Sequence, residues 1–150
     1  MRAYSVNGVG ETGTANKTAC TVISSTSVRP RIYEFAVGTI TAPNSTDQQI
    51  RFAAGSTTTT GTAASNPTPK PVDPGDVAAV ATAGITHSAE PTYASTYFFE
   101  NAINQRGMYR HVCQPGYEFV IAASANNCFG LKLISVTATS ILTGTVLWME

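Results

Sequence analysis

Along most of this chain the hydrophobic positions recur every second residue, the period of a β-strand with one face turned inward. Eight short runs rich in β-branched and aromatic residues follow that rule, at 19–25, 31–41, 48–54, 97–103, 107–113, 117–123, 131–138 and 143–149, separated by Gly, Pro, Asn and Ser. In "YEFAVGTI" the alternation puts Tyr33, Phe35, Val37 and Thr39 on one side and Glu34, Ala36, Gly38 and Ile40 on the other. In "LKLISV", Leu131 and Leu133 oppose Lys132, Ile134 and Val136. Several runs are apolar on both sides, which implies a sheet covered on two faces. Helix signals are confined to "DPGDVAAVATAG", Asp73 to Gly84, where Asp76 fits an N-cap and Gly84 a stop one or two turns later. The pattern predicts an all-β antiparallel sandwich with jelly-roll or related Greek-key connections, with a closed barrel as the second choice.

The stretch from Gly55 to Pro91 breaks the pattern. It begins with small polar residues and then sets Pro67, Pro69, Pro71 and Pro74 within eight positions. Alternating prolines favour polyproline II, which advances about 3.1 Å per residue, so Pro67 to Pro74 would reach about 25 Å at little entropic cost. Two expectations follow: an arm that leaves the domain to lie across a neighbour, or a surface loop packed on its own sandwich. With 150 residues, the chain is expected to form one domain, 1–150, with the extended segment at about 55–91.

Charge narrows the partners. Nine basic and nine acidic side chains cancel, and charged residues make up only 12% of the chain, whereas nucleic-acid binding depends on clustered Lys and Arg. Nucleic acid is not an expected partner. So low a charge suits a surface largely covered by protein. "MRAYSVNGVGETG" lacks the apolar core of a signal peptide, and no run of about 18 apolar residues occurs, so a cytoplasmic site of synthesis and no membrane partner are expected. Cys20, Cys113 and Cys128 are odd in number and lack CxxC spacing, as reduced, buried thiols would be. The sequons at Asn16 and Asn44 carry weight only in a secreted eukaryotic protein.

Candidate chemistry is sparse. His87, three residues before Glu90, and His111, two before Cys113, complete no zinc signature. A Cys113 and His111 pair shares a strand face but lacks a third, orienting group. Glu34, Asp47, Asp73, Asp76, Glu90, Glu100 and Glu118 are scattered, and "NGVGETG" has no P-loop lysine and is expected to form a flexible turn. No metal, cofactor or catalytic residue is predicted, and the chain is expected not to be an enzyme. Two clusters remain as candidate interface residues beside the four prolines: Tyr93 and Tyr97 with Phe98 and Phe99, and Arg106, Tyr109 and Arg110. The same aromatics could instead stack on sugar rings, or be ordinary core and rim residues.

The runs "VGTITAPNSTDQQIRFAAG", "PVDPGDVAAVATAGITHSAEPTY" and "NQRGMYRHVCQPGYEFVIAA", with the ending "TVLWME", resemble small structural proteins of tailed bacteriophages from about Val37 onward; Met1 to Arg31 resemble them least. The resemblance lies in general string and composition and transfers no functional residue. It implies a capsid decoration, or cement, protein: a homotrimer on the outside of the head whose arms and loops clamp the major capsid protein. Head-fibre, neck and tail roles, including a carbohydrate- or receptor-binding module, remain as alternatives within the virion.

Overall fold

The computed structural model describes residues 1–9, 14–40, 46–136 and 141–150. It contains twelve strands among the described residues and no helix: β1 (Ala3–Val9), β2 (Thr18–Ile23), β3 (Arg31–Thr39), β4 (Gln49–Ser56), β5 (Thr62–Ser65), β6 (Lys70–Pro71), β7 (Thr82–Ala89), β8 (Phe99–Asn104), β9 (Tyr109–Val112), β10 (Phe119–Val120), β11 (Cys128–Val136) and β12 (Leu142–Met149). Each of the eight predicted runs holds one of them. The last residues of two predicted runs, Thr41 and Thr137–Ala138, lie outside the described residues, as do Asn44 and the end of the predicted terminal turn.

All pairings are antiparallel. One sheet runs β6-β1-β12-β3, with β9 and β10 following one another along the far side of β3; the other runs β5-β7-β2-β11-β4-β8. Without β5, β6 and β7, and with β9 and β10 counted as one interrupted strand along β3, this is the order of an eight-stranded jelly roll, in which successive strands lie in opposite sheets except at the step from β4 to its neighbour β8. The three extra strands come from one insertion between β4 and β8.

The core lies between the sheets and is built from the alternating positions. β12 shows it most clearly, with Leu142, Val146 and Trp148 buried and Thr143, Thr145 and Leu147 half-exposed. A bulge shifts the register between Leu147 and Trp148, which face Glu34 and Ile32, so Tyr33 is the unmatched residue. This corrects the simple alternation of β3: Ile32, not Tyr33, joins Phe35 and Val37 in the core. Rings bridge the sheets, with Phe35 6.0 Å from Phe129 and Tyr109 5.6 Å from Phe52.

Two further expectations are corrected. The N-terminal segment is not a turn at Asn7 to Val9 but the end of β1, paired along its length with β12. Gly8 serves close packing there, since a Cβ would stand 2.6 Å from the Cβ of Cys20 on the opposite sheet. The helix at Asp73 to Gly84 is absent. Asp73 instead accepts the amide of Gly75 on its side chain (2.9 Å) and that of Asp76 on its carbonyl (3.0 Å), while the amides of Val80 and Ala81 go to the carboxylate of Glu150, each at 2.9 Å. Those amides are then lost to any helical ladder, and Thr82 onward enters β7. Asp76 caps nothing; it pairs with Arg2 at 3.2 Å.

The proline segment follows one of its two expected courses. Of the two expectations for this segment, the loop packed on its own sandwich is the one found, and it carries strands. β6 pairs with β1, placing Pro71 opposite Tyr4, while Pro67 and Pro69 sit half-buried between exposed Asn66, Thr68 and Lys70. Pro74 is exposed. The prolines hold an extended path by their fixed φ, but that path is taken up by the flank of the same molecule.

Candidate interaction surfaces

The insertion treats the two sheets differently. After β7 the chain turns at Pro91 and crosses the outer face of the β2-β11-β4 sheet before entering β8. Glycines on that face admit two rings. Tyr93 lies over Gly130, Tyr97 lies over Gly55, and the two rings meet edge to face at 5.9 Å. Tyr93 bridges Thr57, its hydroxyl bonds Thr18 Oγ1 at 3.1 Å, and the ammonium of Lys132 stands 5.0 Å from its ring centre. Burial holds the Tyr93 phenol well above its ordinary pKa. Tyr93 and Tyr97 thus act as a cover for their own sheet, which accounts for strands that are apolar on both faces.

The outer face of the β1-β12-β3 sheet is left half-exposed. Register aligns Asn7, Thr145 and Ala36 across three strands, with Gly38 beside Thr143 and Ser5 beside Leu147. Thr145 Oγ1 bonds Asn7 Oδ1 at 2.9 Å. The small side chains leave a shallow depression of about 230 Å³ over Ala36, Gly38, Thr143 and Thr145, rimmed by Met108, which is 70% exposed. Within this patch there is no ionisable side chain. The charged pair at its border is Glu34 with Arg110, a two-bonded fork at 2.6 and 3.0 Å. Hydrogen bonding from Arg110 holds the Glu34 carboxyl below its usual range.

A second surface occupies the flank opposite the insertion, where β8 and β9 end their sheets. Here Phe98, Phe99, His111, Tyr117 and Phe119 line a cleft of about 490 Å³ together with Val112, Cys113 and Gln114. Phe98 and Phe119 stack in parallel at 5.1 Å, and His111 lies 5.0 to 5.6 Å from Phe35, Phe99 and Phe119. Tyr117 is 77% exposed.

The predicted interface residues are therefore scattered. Arg106 pairs with Asp47 at 3.2 Å beside the turn into β9, and Arg110 borders the small-residue face. Tyr109 faces the core, 5.2 Å from Phe99, with its hydroxyl 3.4 Å from His111 Nδ1. Cys113 does not engage His111. Its thiol points to the carbonyl of Ile32 at 3.6 Å, and burial raises its pKa, which works against a thiolate nucleophile. His87 is buried on β7, with Nε2 3.4 Å from Thr21 Oγ1. Among the described residues no three His, Cys, Asp or Glu side chains gather as a metal site, and no helix is long and apolar enough to cross a membrane.

Reading the sequence alone misses both surfaces. The face of Ala36, Gly38, Thr143 and Thr145 is signalled only by the absence of bulk at alternate positions, and the cleft joins Phe98 to Phe119 across two sheets. Comparison of the chain with protein-family models, with curated proteins and with solved structures finds no match.

Proposed function

We propose that this chain is a non-enzymatic structural protein of a tailed-phage virion, a decoration protein that sits on the outside of the head against the major capsid protein and further copies of itself, in a homotrimer. The single observation that carries the reading is the half-exposed outer face of the β1-β12-β3 sheet: broad, built of small residues and free of charge at its centre. A face of this kind loses little solvation of charge when another protein covers it, and small side chains leave little entropy to lose on docking. Zero net charge and the likeness to phage structural proteins point the same way. Because the 55–91 segment belongs to its own sandwich, the contact assigned to a proline strap passes to this face.

The test is cosedimentation of the purified chain with intact heads, with its copy number measured against the shell protein. Saturable binding at a copy number near that of the shell protein, a raised disruption temperature of the heads, and loss of both in a folded Thr145→Arg variant are expected. Heads that bind no chain, or a virion holding only a few copies, would overturn the reading. A glycan-binding role fits less well, because Tyr93, Tyr97 and Tyr109 are all engaged within the molecule.

A further inference from the structure

Among the described residues the two sheets present four edges, and three of them are guarded against adding a strand. At β6, the bond from the Val72 amide to the Ala3 carbonyl (2.8 Å) makes Ala3 with Val72 and Ser5 with Lys70 the hydrogen-bonded pairs. The nitrogen of Pro71 then points outward, and it has no hydrogen to offer. β5 is short, bulged between Thr62 and Ala63, and soon followed by Pro67. At β8, the bond from the Gln105 amide to the Gln48 carbonyl (2.9 Å) sets the phase so that the Ala102 amide faces out, where Asn101 Oδ1 accepts it at 2.8 Å.

β9 carries no such device. The amide of Cys113 donates to the carbonyl of Tyr33 at 2.8 Å, so Tyr33 with Cys113 and Phe35 with His111 are the bonded pairs, and the amides and carbonyls of Arg110 and Val112 point away from β3. Among the described residues none takes them up. The cleft of Phe98, His111 and Phe119 opens beside this edge, and its lining holds no Asp, Glu, Lys or Arg. At about 490 Å³ it falls within the roughly 300–1,000 Å³ typical of ligand sites.

We infer that the outer edge of β9 accepts an extended segment of a partner protein, four or five residues long, that continues the sheet through Arg110 and Val112 and inserts an uncharged apolar side chain into the cleft beside it. The occupant is a free segment rather than a second copy's β9, since the inward side chains of that strand, Tyr109 and His111, are already stacked in their own core and cannot fill the cleft. Backbone bonds supply affinity in such additions and the side-chain pocket supplies selectivity. The inference stands on edge geometry and does not depend on the virion reading.

A positional-scanning library of blocked, uncharged pentapeptides provides the probe, followed by amide resonances of the intact protein. The best members are expected to shift and protect the Arg110 and Val112 amides, and N-methylating their sheet-facing amides should weaken binding about tenfold, the effect of losing a hydrogen bond. Val112→Pro should do the same, because it deletes a nitrogen hydrogen that β3 does not use. If that variant fails to fold, the N-methylated peptides decide on the native chain. The inference is overturned if no library member moves these amides, if binding ignores N-methylation, or if Arg110 and Val112 prove protected by self-association of the protein alone.

Discussion

The ring of Tyr93 occupies the space where Gly130 has no side chain: a Cβ at position 130 would contact the hydroxyl oxygen and stand 2.9 Å from Cζ. One residue of the insertion and one of the central strand β11 are thereby fitted to each other across 37 positions of sequence. Gly130→Ala should expel the ring, free Thr18 Oγ1 and detach the 91–98 crossing. A loss of about 1–3 kcal/mol is expected, in the range for overpacking. Tyr93→Ala should also destabilise, but the double variant should lose less than the sum, since the clash vanishes with the ring. Denaturant unfolding of the four proteins measures the coupling, and strict additivity would refute the fit.

Glu150 gathers the insertion at its other end. Its carboxylate accepts the amides of Val80 and Ala81 and the Nε1 hydrogen of Trp148 at 3.0 Å, tying the 73–81 loop to β12. Glu150→Ala leaves those donors without their acceptor, at about 1–3 kcal/mol for bonds to a charged group. Amide exchange at Val80 and Ala81 should accelerate well beyond that at Leu131. Equal acceleration at all three sites would mean that the carboxylate contributes to global stability without holding the loop.

The sandwich was legible from sequence because its body obeys one rule. Eight runs of period two, bounded by turn residues, become eight strands, and the expectation of a doubly covered sheet is met by the Tyr93 crossing. What escaped was written in small residues. β7, "TAGITHSA", buries Ala83, Gly84 and His87 with almost no bulk, so neither period nor propensity marks it, and the Ala-rich run before it imitates a helix. β1 was obscured by Gly8, a packing glycine that reads as a turn. The prolines were recognised as a stiff extended path, but stiffness does not tell which surface the path lies on. That depends on Ala3, Tyr4 and Glu150, residues about 70 positions away. Neither surface of the candidate site has a linear signature, for each exists only once β3, β9 and β12, or β8 and β10, stand side by side.

Thr86 offers a separate check on β7. Its φ of 55° lies in the left-handed region that a β-branched side chain rarely adopts. Next to it, His87 is held in the core. Thr86→Gly removes the steric cost and should raise stability by up to about 1 kcal/mol after the added chain entropy of glycine is offset. Thr86→Val should lower it. Thermal midpoints of the two variants should fall on opposite sides of the parent, and a shared direction would show that no strain is stored at this turn of the strand.

High pH should unfold the protein through its buried acids. Burial pushes the Cys20 thiol from 9.0 up to about 12 and the Cys128 thiol up to about 11, and raises the Tyr93 phenol as well. Each pKa is higher in the folded chain, so the folded state keeps protons that the unfolded chain releases. The associated stability is complete below pH 9 and is lost as pH climbs through the folded values. Each thiol in its window contributes a slope of about 1.4 kcal/mol per pH unit. Cys20→Ala replaces a buried thiol by a group that cannot ionise, and whatever it costs in packing is the same at every pH. Its unfolding free energy, followed from pH 8 to 11.5, should therefore decline less steeply than the parent's above pH 9, and the two curves should converge. Curves that stay parallel would show that Cys20 can ionise without opening the core, contrary to its place between the sheets against Gly8 and Gly144.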